Sequence, residues 1–195
     1  MNITFDQYKK EFFLSFSKII KNDVEKIVSG LVDVKKKKGR LFFLGVGGSA
    51  ANCSHAVNDF RKLCGIECYS PVDNSAELTA RINDEGWDSS FSEWLKVSNL
   101  TSKDGIFIMS VGGGNLKKKV SVNIIKAIDY AKKKKTKIFG IVSRDGGYTL
   151  KKADYAVLIP IKNKMLVTPI SEAMQAVIWH YIVSHPKTQI NKTKW

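Results

Sequence analysis

The run Leu41-Phe42-Phe43-Leu44 is apolar without alternation, the pattern of a strand covered on both faces. Gly45-Val46-Gly47-Gly48-Ser49 then turns the chain sharply into a segment whose apolar residues recur at helical spacing through Phe60. Residues 65–70 read as a second, short strand. Residues 105–110 form a third, which repeats the opening device: Val111-Gly112-Gly113-Gly114-Asn115 leads into a helix expected over 116–134. A fourth strand is expected at 137–142, ending in Ser143-Arg144-Asp145-Gly146-Gly147, and a fifth at 154–159. Strands of this kind separated by helices predict an α/β architecture with a parallel sheet.

Outside the alternation lie two amphipathic helices between Phe5 and Val34, whose apolar positions fit either core packing or contact with another subunit. Pro71-Val72-Asp73-Asn74-Ser75 reads as the loop leaving the second strand, and a polar loop is expected to continue over 77–88. Phe91, Trp94, Leu95 and Val97 mark a short helix, with Trp87 and Trp94 as core or interface residues. Thr168-Pro169 opens a long last helix, with proline in its first turn. One domain over 1–195 is expected: N-terminal helices at 1–36, an α/β core at 41–184, and a polar tail at 186–195 docked by Trp195.

Composition narrows the class. No apolar run approaches the length of a membrane span and the N-terminus lacks a signal-peptide pattern, so a cytoplasmic protein with no membrane partner is expected. Cys53, Cys64 and Cys68 are odd in number and fit reduced, partly buried thiols. The net charge of +14 comes mostly from lysines, in runs at 35–38, 117–119, 132–135 and 151–152 near expected helix ends and turns. Lysine there complements the helix dipole and makes a solvated face. No nucleic-acid partner is expected, because recognition would lean on arginine forks and aromatic platforms.

The glycine turns carry the candidate chemistry. Gly47 and Gly48 let backbone approach a ligand, and Ser49 is placed to cap the helix whose positive end then points into the same pocket. Neither a Walker A loop nor a dinucleotide fingerprint is present, so a phosphorylated small molecule is the better fit. Ser110, Gly112, Gly113, Gly114 and Asn115 offer a second set of phosphate donors. His55 and Asp59, four apart, share a helix face and could act together on a substrate or hold a metal.

Glycine turn, His55-x-x-x-Asp59 helix, Asn83-Asp84, the serine and glycine turn at 110–115, Arg144-Asp145-Gly146-Gly147 and a closing helix, taken in that order, resemble the sugar isomerase (SIS) domain, nearest to its phosphoheptose isomerase group. The resemblance implies a three-layer sandwich with a five-stranded parallel sheet in flavodoxin-like order, and a homotetramer with sites at subunit interfaces. It further implies conversion of sedoheptulose 7-phosphate to D-glycero-D-manno-heptose 7-phosphate for lipopolysaccharide or capsule. His55 falls at the family's zinc-binding or catalytic histidine, Asp59 at its catalytic glutamate, and Asp84 at its loop aspartate. Zinc is the cofactor this implies, on His55 and Asp59. Val46 stands where the family has asparagine. In the last helix, aligning Glu172 puts Ser171 at a glutamine ligand position and Trp179 at the catalytic histidine, one residue before His180. His180 therefore serves as the acid only if that helix is turned or bulged. The competing expectation is an SIS protein without chemistry that binds a phosphosugar or a protein such as the replication initiator.

Overall fold

The structure, a computed structural model, describes residues 2–193. The expected docking of Trp195 lies outside the described residues. Five parallel strands, β1 (Leu41–Leu44), β2 (Cys68–Tyr69), β3 (Gly105–Ser110), β4 (Lys137–Ser143) and β5 (Tyr155–Ile159), form one sheet in the order β2-β1-β3-β4-β5. This is the α/β class and strand order expected. Strand side chains alternate between two apolar layers. Phe43, Phe107, Met109, Phe139 and Ile141 face one, while Phe42, Leu44, Ile106, Ile108 and Ile138 face the other.

Helices α2 (Lys21–Lys36), α3 (Gly48–Cys64) and α8 (Val167–Ser184) cover the first layer. Helices α5 (Ser90–Val97) and α6 (Val122–Lys133) cover the second, and α7 (Gly147–Lys152) packs beside β4 and β5. Helix α1 (Phe5–Phe16) begins in a capping box: Thr4 accepts from the Gln7 N–H and the Gln7 side chain accepts from the Thr4 N–H. Its Phe13 and Phe16 are exposed. Lys35 and Lys36, Lys132 and Lys133, and Lys151 and Lys152 do end helices.

Two segments differ from expectation. The polar stretch read as loop forms helix α4 (Ser75–Glu85), capped by Asn74 accepting from the Glu77 N–H and braced by Arg81 to Glu77 and Glu85. None of its residues is fully buried, and its apolar stripe is reduced to Leu78 and Ile82, too short to mark a helix in sequence. The helix expected from residue 116 starts at Val122. Before it, Asn115 and Val120 exchange backbone hydrogen bonds of 2.9 and 3.0 Å in a tight hairpin, with Lys119 and Ser121 at positive φ. The polar tail docks: the N–H groups of Ile190 and Asn191 both donate to the Leu63 carbonyl at the end of α3. All three cysteines are free and buried, and burial pushes their thiols up, that of Cys64 to about 11.

Candidate functional site

Helices α3 and α8 run side by side, and polar residues on their facing sides pair in steps down the contact. At the top, the N-terminus of α3 is not capped by Ser49. Gly47, at φ +64°, is the N-cap, and the Glu172 carboxylate of α8 accepts from the Ser49 N–H at 3.0 Å and its hydroxyl at 3.3 Å. The anion at this helix end is thus the chain's own side chain. Gly48 is glycine for the same reason, since a Cβ there would lie 2.3 Å from the Glu172 carboxylate.

One turn down, Asn52 donates to the Glu172 carbonyl and to Gln175 Oε1, and Gln175 donates to the Ser49 hydroxyl. Gln175 is fully buried with both ends of its amide engaged. Sequence reasoning missed Asn52, although it lies three residues before His55 and so on the same helix face.

Below that pair the titratable groups meet. His55 Nε2 lies 3.7 Å and His180 Nε2 3.8 Å from the same oxygen, Asp59 Oδ2, while Asn58 donates to Asp59 Oδ1 at 2.8 Å. Asp59 is buried and both imidazoles are about half exposed. His180 Nδ1 sits 2.7 Å from the Ala176 carbonyl, so that nitrogen carries the proton and Nε2 offers a lone pair. Two imidazole nitrogens and a carboxylate oxygen thus face one point. The three ligand atoms lie within 4.8 Å of one another, a group able to hold a metal ion. They open on a cleft shared with Asn58, Lys62, Leu63 and Thr193.

His180 reaches Asp59 from an uninterrupted helix, because Trp179 takes the inward position. Trp179 is fully buried beneath both imidazoles, with its ring centroid 4.7 Å from that of His55. Asp84 is elsewhere, exposed on the last turn of α4 with Asn83 as its partner.

The second glycine turn follows β3 at the rim where the strands end. Ser110 Oγ accepts from the Gly113 N–H at 3.0 Å, which leaves its own proton free. Gly113 and Gly114 accept from the Thr149 and Tyr148 N–H groups of α7, and a Cβ on Gly113 would lie 2.0 Å from the Gly146 carbonyl oxygen. Gly113 is thus required by the neighbouring turn, and Gly114 by its φ of +84° and by Ile125 of α6, whose Cγ1 would lie 2.8 Å from a Cβ. Gly47 and Gly112 are different: a Cβ on Gly47 would meet nothing within 4 Å, and one on Gly112 only Arg144 Cδ at 4.0 Å. Asn115 is occupied as acceptor for the Lys118 N–H.

Within one chain the rim and the imidazole group are apart. Asp59 lies eleven residues into α3 from Gly48, about 16 Å along the axis at 1.5 Å per residue.

The phosphoheptose isomerase GmhA of Neisseria gonorrhoeae has a similar fold, with a TM-score of 0.77 and 21% identity over 92% of each chain. The NanR protein of Vibrio vulnificus, solved with ManNAc-6P, superposes with a TM-score of 0.60 at 11% identity, over 93% of this chain and 61% of that one. No family model matches the chain. The fold is that of the SIS-domain phosphosugar isomerases. The probable phosphoheptose isomerase of Thermoplasma volcanium is 31% identical over 169 residues, 84% of this chain and 80% of the relative. The chain belongs to the phosphoheptose isomerase family.

Proposed function

We propose that the protein interconverts sedoheptulose 7-phosphate and D-glycero-D-manno-heptose 7-phosphate in the cytoplasm, for lipopolysaccharide or capsule synthesis. The observation that carries this is the pair of imidazoles facing one buried carboxylate oxygen. Aldose–ketose isomerisation moves a proton between adjacent carbons while a proton crosses between their oxygens. Asp59 is the base that takes and returns the carbon-bound proton. His55 and His180, outside it, exchange the oxygen-bound proton. Alternatively, His55, Asp59 and His180 would hold zinc through the same atoms, and the metal would then supply the polarisation of the sugar carbonyl in place of the imidazole protons.

The phosphate belongs at the rim, over Gly47, Gly48, Ser49, Ser110, Gly112, Gly113, Gly114 and Asn115. The open faces of Gly47 and Gly112 support that placement; the Glu172 carboxylate under Ser49 shifts the weight toward the second turn. Asp84 would reach the sugar hydroxyls of a neighbouring copy's site. The distance between rim and imidazoles supports sites shared between copies in a homotetramer.

The test is turnover of sedoheptulose 7-phosphate by purified protein, with Asp59→Asn slower by at least about 100-fold, the scale of a positioned general base. Absence of turnover on a panel of phosphorylated ketoses, with phosphosugar binding retained, would make the protein a sensor instead.

A further inference from the structure

Four arginines stand in the sequence, and three are committed within the fold. Arg40 is bound to Asp104 and to the Ser98 and Asn99 carbonyls, Arg61 donates to the Cys68 carbonyl beneath its stack on Tyr69, and Arg81 pairs with Glu77 and Glu85. Arg144 alone has no hydrogen-bond or ion-pair partner among the described residues. It is exposed, one residue past β4, where the strand ends meet the glycine turn of β3.

Two features single it out further. Its backbone sits at φ +54°, the left-handed region that costs a residue with a Cβ and that glycine adopts freely. The turn is fixed there by the Gly146 N–H donating to the Ser143 carbonyl, so the chain keeps arginine where glycine would relieve the strain. Its Cδ also flanks the open side of Gly112, in the turn where the free Ser110 hydroxyl proton lies.

We propose that Arg144 is the guanidinium clamp for the substrate's phosphate, closing over Gly112 and selecting phosphorylated over neutral sugars. Its fork matches two phosphate oxygens, where the lysines at 117–119 of the hairpin after that turn would present single point charges. The inference rests on the isomerase reading for its substrate but assigns a residue that reading does not need.

Arg144→Gly separates the two roles, because it removes the clamp and the backbone strain together. The expected result is KM for the phosphosugar raised at least about 30-fold, kcat within about threefold, and a melting temperature equal to or above wild type. Arg144→Lys should recover part of the affinity, and Lys118→Ala should leave KM unchanged. Inorganic phosphate, followed by phosphorus NMR titration, should bind wild type and lose at least about tenfold in affinity to Arg144→Gly. An unchanged KM, or a loss confined to kcat, overturns the assignment. Should wild type turn over no sugar, the isomerase reading fails by itself, and the phosphate titration decides Arg144: lost binding supports the clamp and equal binding ends it.

Discussion

Gly48 has no side chain because Glu172 fills the place where one would go. Gly48→Ala should therefore push the carboxylate off the Ser49 N–H and hydroxyl, costing about 2 kcal/mol for lost hydrogen bonds to a charged group. That is a fall of roughly 4–8 °C in melting temperature for a domain of this size. Adding Glu172→Ala to Gly48→Ala should bring little further loss, since the clash is then gone; losses that simply add would show that the two residues do not conflict. At this scale the sequence revealed the glycines but not their reasons. A glycine kept for a ligand and a glycine kept for a neighbouring carboxylate look alike until the partner, 124 residues away for Gly48, is in place. His55 and Asp59 were legible because both lie on one helix face. The direction of His180 was not, because it depends on which of two adjacent aromatic rings the core accepts, and the core accepts Trp179.

Between elements, β1 and β3 are clamped where they begin. The Asp104 carboxylate, almost wholly buried, accepts from the Arg40 backbone N–H and guanidinium and from Thr101. Burial pushes its pKa up, but the Arg40 hydrogen bonds and those from Thr101 outweigh it, holding the group below its ordinary 3.8. A depressed carboxyl stabilises the fold above its unfolded value and loses that contribution as pH falls through the folded one. Asp104→Asn should thus cost roughly 3 kcal/mol at neutral pH. The gap in melting temperature from wild type should stay constant down to about pH 4 and close below it. A gap that persists unchanged at pH 2 would mean that packing, not charge, is what the substitution removed. Strands were the most legible elements, because burial on both faces leaves continuous apolar runs. Helix α4 was hidden because Leu78 and Ile82 are its only large apolar residues, although Asn74 and the Glu77, Arg81 and Glu85 spacing carried a usable signal. The 115–120 hairpin was read as helix because Leu116 and Val120 stand four apart, a spacing that a turn can also produce.

For the molecule as a whole, α1 is the feature that a single chain leaves unexplained. Phe5 is 77% exposed, Phe13 64%, Phe16 46% and, just beyond the helix, Ile20 61%. Apolar residues so concentrated on one small helix mark a contact surface. If the proposed assembly forms through α1, Phe13→Glu combined with Phe16→Glu should reduce the light-scattering mass toward the 21.8 kDa of one chain and abolish turnover. A variant that stays assembled, or one that is monomeric and fully active, would remove the interface reading.

The interior position of the thiols has a practical result. Maleimide reagents need an accessible thiolate, and Cys53, Cys64 and Cys68 offer none in the folded protein. A single cysteine introduced on the outer face of α1 could then be labelled alone, without first replacing the native three. Spin labels or fluorophores placed there would report directly whether a second copy lies against that helix.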